Sequence, residues 1–276
     1  MDSFARPSSL SEAVDLLAGG GWRVLAGGTD LYPGAGARLE GRVLDLTGIA
    51  DLTGIVADGG ALRIGAATSW AAIAAADLPP ACLALQQAAR AVGGRQVQVA
   101  GTIGGNLCNA SPAADGVPPL LALGAEVELV SDRGLRRLPL ADFLQGPRRT
   151  ALGPGEVLAV VVIPGTGLAG RSAFVKLGAR SHLVISIAMV AARLAVRDGR
   201  IAAAAVAVGA CSPVAVRLPL VEAALVGAPV AGAVGRISAP DVQAPLSPID
   251  DVRATASYRR EAAVELVRRA VAEALA

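Results

Sequence analysis

A chain of 276 residues that is 53% hydrophobic and 17% charged can bury one large core or two to three small ones, which excludes disorder. Its net charge of +2 is too small to mark a nucleic-acid binder, and no apolar run approaches the roughly 20 residues that span a bilayer. Three cysteines, 26 and 103 residues apart, and the single histidine His182 make neither a metal ligand set nor a catalytic triad.

The N-terminal stretch MDSFARPSSLSEAVDLL has acids and a proline where a signal peptide needs a basic end and an apolar block, so a cytoplasmic location is expected. Ser9 and Glu12 have capping-box spacing ahead of a helical stripe of Leu10, Ala13, Val14 and Leu17, and Gly19, Gly20 and Gly21 stop that helix. A strand at WRVLA (22–26) leads into GGTDLYPG, and a second follows at RVLDL (42–46). DLTGI occurs at 45–49 and again at 51–55, and two copies read as a local strand–turn pair.

From about residue 60, ALRIGAATSW predicts a strand followed by a helix near 69–76, and Pro79 and Pro80 suit the first turn of another helix running to Ala91. GGRQVQVAGTIGGN alternates and then breaks at glycines, and AEVELV (125–130) and EVLAVVVI (156–163) read as strands. The densest basic group, Arg133, Arg136 and Arg137 followed by Arg148 and Arg149, lacks interleaved aromatics and reads as solvated turns or a protein contact. In the last segment, Ala173, Val175 and Leu177 share one face of a strand, a small-residue helix is expected near 183–195, and IAAAAVAVGA (201–210) reads as a strand. A closing helix puts Val264, Val267, Val271 and Leu275 on one face. Helices and strands mix without regular alternation, which predicts an α+β fold.

Three glycine clusters compete as ligand sites. GTGLAG (165–170) has the G-x-G-x-x-G spacing of a dinucleotide turn, but a strand rather than a helix should follow Gly170, and position 190 is a valine where an acid is needed. It reads as a plain interdomain turn. The other two, Ala26-Gly27-Gly28-Thr29-Asp30 and Thr102-Ile103-Gly104-Gly105-Asn106, each combine adjacent glycines with a hydroxyl and a short polar side chain. Such turns let main-chain N–H groups converge on an anion, so two of them could clasp one diphosphate from both sides without a metal. Taken singly, either cluster is equally a tight turn.

AGGTDL, then TIGGN and SPAAD, followed by KLGARSHLVISIA and DDVRATASYRR, resemble the FAD-binding medium subunits of the molybdenum hydroxylases, and the likeness covers nearly the whole chain in order. The resemblance implies a two-lobed, vanillyl-alcohol-oxidase-like FAD-binding domain followed by a C-terminal α+β domain, with boundaries expected at 1–56, 57–168 and 169–276. It places the FAD diphosphate between residues 26–30 and 102–106, Asp115 on the ribityl or adenosine part, and Leu158 beside the adenine. Lys176 would sit near the flavin, where a cation stabilises negative charge at N1–C2, and Leu183 or Val184 would cover the ring. Gln98 and Val99 stand where relatives often carry Arg-Asn, so no contact is assigned to them. No catalytic side chain and no metal ligand are expected in this chain.

The activity implied is electron transfer within a heteromeric oxidoreductase. Substrate would be oxidised in a molybdopterin-binding large subunit, and electrons would pass through a 2Fe-2S small subunit to FAD, then to NAD, a quinone or oxygen. Two alternatives are a self-contained FAD-dependent reductase or oxidase of the same fold, and a flavin-free binding scaffold. The first needs acid–base residues that one histidine and two tyrosines supply thinly.

Overall fold

A computed structural model describes residues 3–36 and 39–276. The first lobe holds β1 (Ser3–Ala5), α1 (Leu10–Ala18), β2 (Trp22–Leu25) and β3 (Arg42–Asp45), with the strands parallel in the order β1-β3-β2. Helix α1 starts where the sequence places it: the Ser9 hydroxyl accepts from the Glu12 amide at 3.2 Å. The return bond is shifted by one residue, because the Glu12 carboxylate accepts from the amide of Ser8 at 2.9 Å. The repeated DLTGI segments form two short 3-10 turns, 46–48 and 50–52, before the chain enters the second lobe.

That lobe runs β4 (Ile55–Asp58), β5 (Ala61–Gly65), α2 (Trp70–Ala75), α3 (Leu83–Ala91), α4 (Arg95–Ala100), α5 (Ile103–Asn109) and α6 (Val117–Ala122). It continues through β6 (Glu126–Ser131), β7 (Gly134–Pro139), α7 (Leu140–Phe143), the short hairpin β8 (Leu144–Gly146) and β9 (Arg149–Thr150), and β10 (Val157–Ile163). The antiparallel sheet has the order β4-β5-β10-β6-β7. Central strand β10 reads VLAVVVI without alternation because both faces are covered. Val157 and Ala159 pack with Ala13, Leu17 and Leu44 of the first lobe, while Leu158, Val161 and Ile163 pack with Trp70, Leu107 and Phe143 of the second.

The alternating segment QVQVA is not a strand. It forms helix α4, which has no fully buried residue, so its alternation carries no core face. Arg136 and Arg137 are not solvated turn residues either: they lie on β7 and pair with the buried carboxylates of Glu156 and Glu128.

The C-terminal domain is an antiparallel sheet of β11 (Arg171–Leu177), β12 (Ala188–Arg197), β13 (Arg200–Gly209) and β14 (Val216–Arg217), with α8 (Pro219–Leu225), α9 (Ala239–Gln243) and α10 (Ala256–Leu275). The helix expected at 183–195 does not exist: residues 188–197 are β12, paired with β11 and β13. Val190, Ala192 and Leu194 face the α10 side, while Met189 and Ala191 meet Ala84, Ala88 and Ala122 of the second lobe. Burial on both faces hides a strand's period, and alanine-rich strands mimic helices in composition. Among the described residues no helix is long and apolar enough to cross a membrane.

The GTGLAG stretch is a 3-10 turn (Gly165–Leu168) that leads into β11, as its sequence context predicts. Its glycines are structural. A β-carbon on Gly167 would overlap the Leu123 carbonyl, and one on Gly170, at φ +88°, would overlap the Leu194 carbonyl. Overpacking against backbone plus a left-handed conformation sum to about 2–4 kcal/mol for Gly170→Ala, so chemical denaturation is expected to show a large loss of stability. Ligand stoichiometry of the folded fraction should not change.

Candidate functional site

Two of the glycine clusters meet where the lobes touch, and they line one cavity of about 830 Å³, within the size range of cofactor pockets. In the first loop, Gly27 has no room for a β-carbon against the Ala100 carbonyl, which lets residues 26–30 approach the turn before α5. Gly28 is left-handed at φ +70°, its space already taken by the Tyr32 ring. The amides of Gly27, Gly28, Thr29 and Asp30 have no hydrogen-bond acceptor among the described residues, and all four residues line the cavity along with Ala26. Successive unpaired amides of this kind form an anion-binding concavity.

The second loop works differently from the expected mirror image. Its amides are already used: Ile103 donates to the Thr68 carbonyl at 3.0 Å, Gly104 to Ala66 at 2.8 Å, and Asn106 to the Thr102 carbonyl at 3.0 Å. The Gly105 amide donates to the Thr102 hydroxyl at 3.0 Å, which caps α5. Ile103 is fully buried in the core and does not line the cavity, and Gly104 is needed for contact with the backbone and β-carbon of Ala66. What this loop presents to a ligand is side chain and space. Thr102, Gly104, Gly105 and Asn106 line the cavity, a β-carbon on Gly105 would meet only the Thr102 hydroxyl within 4 Å, and Asn106 carries a buried carboxamide oxygen with no partner among the described residues. The unpaired amides fit anionic oxygens of a ligand, and the orphaned Asn106 oxygen, an acceptor, fits one of its hydroxyl or N–H donors.

Asp115 lines the same cavity and is held by the C-terminal domain. The Lys176 ammonium donates to its carboxylate at 2.6 Å and the Ser186 hydroxyl at 2.7 Å. Burial raises the Asp115 carboxyl above its ordinary value, against the opposing pull of Lys176 and Ser186. Lys176 itself is turned to Asp115 and to the Ala91 carbonyl and is not a cavity-lining residue. Leu158 lines the cavity beside a bulge in the β10–β6 register. Leu183 lines it too, at φ +52°, from the loop between β11 and β12. The DDVRATASYRR motif anchors that loop: buried Arg259 donates to the Ile187 carbonyl at 2.6 Å and pairs with Asp251 at 2.6 Å. Exposed His182 is absent from the cavity lining.

Sequence reasoning missed Ser186, Arg148, Glu156 and Cys108. Ser186 lies 71 residues from Asp115, a separation no local pattern encodes. Cys108 sits on α5, two residues past the Asn106 motif, and reaches the cavity, whereas Cys82 and Cys211 are fully buried. The Cys108 side chain is exposed, so it is the one thiol of the three open to reagents. Alkylation should therefore modify Cys108 alone, and a ligand filling the cavity should suppress it; equal labelling with and without ligand, read by mass spectrometry, would place the ligand elsewhere. Among the described residues no three His, Cys, Asp or Glu side chains converge as a metal site.

Residues 1–166 match a family model described as the FAD binding domain in molybdopterin dehydrogenase, and residues 173–274 match the CO dehydrogenase flavoprotein C-terminal domain. The chain is 29% identical to the xanthine dehydrogenase FAD-binding subunit of Escherichia coli O157:H7 over 99% of its own length and 96% of the relative's. It is 31% identical to the nicotine 6-hydroxylase medium subunit of Paenarthrobacter nicotinovorans, over 98% and 96%. A solved structure of reconstituted CO dehydrogenase from Oligotropha carboxidovorans has a chain that superposes with a TM-score of 0.89 at 30% identity, covering 100% of this chain and 97% of that one.

Proposed function

The chain belongs to the family of FAD-binding subunits of the molybdopterin dehydrogenases, and on that premise we propose that it carries electrons from the iron–sulfur clusters of a small partner subunit to an external acceptor: NAD, a quinone or oxygen. It is an FAD-binding oxidoreductase subunit, and oxidation of the organic substrate is assigned to a molybdopterin-binding large subunit. The observation that carries this reading is the cavity at the junction of the two glycine loops, with its unpaired first-loop amides and the orphaned Asn106 oxygen.

FAD supplies chemistry that no side chain can, accepting electrons singly and delivering them singly or in pairs. The chain's own residues hold and orient it. Amides 27–30 would take the diphosphate oxygens, and the Asn106 carboxamide oxygen would accept from a donor elsewhere on the ligand. Asp115, fixed by Lys176 and Ser186, keeps lone pairs for the hydroxyls of the sugar or ribityl chain. Leu183 and Val184 would cover the flavin, and Leu158 the adenine. None of these residues is assigned a covalent bond to the flavin, which is expected to be held non-covalently.

The protein purified with its partners should be yellow, and denaturation should release all the flavin as FAD, with both partner subunits identified by mass spectrometry. A colourless chain, or one without a cluster-bearing partner, contradicts the proposal. Flavin that stays with the precipitated polypeptide contradicts non-covalent attachment.

A further inference from the structure

Arg148 sits on the cavity wall, after Pro147, at the second corner of the two-residue β8–β9 hairpin turn. Its φ is +59°, and its amide donates at 3.0 Å to the carbonyl of Ala110, itself left-handed at φ +45°. The hairpin turn after Pro147 calls for a left-handed residue at this corner, where glycine or asparagine is usual and this chain carries an arginine. Arg148 lines the cavity, and its guanidinium donates to the Asn109 carbonyl at 3.3 Å and to the Asn109 carboxamide oxygen. Both acceptors are neutral, and Arg148 makes no ion pair among the described residues. Arg23 is the only other cation lining the cavity among those residues. A planar cation with spare donors is therefore held against the ligand space without a counter-charge of its own.

We infer that Arg148 binds the adenosine–phosphate end of the flavin nucleotide, and so gives the cavity part of its preference for FAD over FMN. The inference rests on the FAD reading above. Arg148 belongs to the wall built by residues 148–158, which also supplies Leu152, Glu156 and Leu158, whereas residues 183–185 of the C-terminal domain form a separate wall. On the first wall a guanidinium can lie flat on a purine or pair with the adenosine-side phosphate, groups that FMN lacks. Its bond to the last turn of α5 aims it, and the left-handed backbone sets the direction in which the side chain leaves the hairpin.

Arg148→Gly tests this cleanly, because glycine accepts φ +59° and the turn survives while the guanidinium is lost. The full chain, stripped of flavin, is titrated with FAD and separately with FMN, following flavin fluorescence, and its apo melting temperature is recorded. Loss of a charge-assisted contact predicts about a tenfold to hundredfold weaker FAD binding, with FMN changed less than about twofold. A parallel fall for both nucleotides, or no change in either beside a lowered apo melting temperature, would overturn the inference and leave Arg148 as a cap on α5. If the unaltered chain bound no FAD at all, the proposed function would fail, an outcome distinct from either of these.

Discussion

Gly105→Val is expected to give a folded, colourless chain. Valine is a better helix residue than glycine by a few tenths of a kcal/mol, and φ at 105 is not left-handed. The new β-carbon lies 2.9 Å from the Thr102 hydroxyl, so the α5 cap must shift at a cost of about 0.5–2 kcal/mol, which leaves the chain folded. The added side chain also takes space from the ligand. Excluding the diphosphate from even two first-loop amides removes about 3–6 kcal/mol of charge-assisted hydrogen bonding, a loss of roughly two to four orders of magnitude in FAD affinity. In the assembled enzyme, reduction of the iron–sulfur clusters by substrate should continue while transfer to the external acceptor stops. Full FAD content and normal turnover would remove the loop from the cofactor site. Gly28→Val is the less clean experiment: φ is +70° and the Tyr32 ring fills the space, so that variant loses fold and flavin together.

Lys176→Met is expected to have the largest effect on stability. It strands the Asp115 carboxylate, which is 7% exposed and whose ammonium partner is 2.6 Å away, and breaking such a buried pair costs about 3–5 kcal/mol. The direction with pH follows from the carboxyl, whose folded-state pKa burial already raises. A group raised on folding contributes stability below its unfolded pKa and loses it as pH climbs through the folded value. Without Lys176 the carboxyl rises further, so the variant should be least impaired in acid and increasingly unstable toward neutral pH. Adding Asp115→Asn removes the stranded charge and should recover part of the loss. Urea denaturation of both variants across pH checks this, and a Lys176→Met chain within about 0.5 kcal/mol of the parent would refute it.

The glycine loops, the α1 cap and the strands β5, β6, β10 and β11 were legible because local chemistry dictates them. A left-handed turn demands glycine, a cap demands a hydroxyl, and β10 declares itself by its run of valine and isoleucine. What each glycine does was not legible. Gly27 and Gly104 serve backbone against backbone, Gly28 serves conformation, and Gly105 serves the ligand space, distinctions that only the neighbours Ala100, Ala66 and Tyr32 create. Strand β12 was hidden because it is covered on both faces and rich in alanine. Arg148 looked like one more basic turn residue, and its direction depends on Asn109, 39 positions earlier in the chain.

Strand β10 closes the core of the first lobe from a place late in the sequence. Val157 and Ala159 cover Ala13, Leu17, Leu44 and Leu46, so about 110 residues must be made after Leu46 before those side chains can be sealed. At roughly 5–20 residues per second, the N-terminal lobe leaves the ribosome as an open half-shell and stays so for about 6–22 s. During that interval its apolar face is available to chaperones or to a second nascent chain. Maturation of this polypeptide is then limited by the arrival of one seven-residue strand, and slowing translation between β3 and β10 should raise aggregation more than slowing it after Ile163.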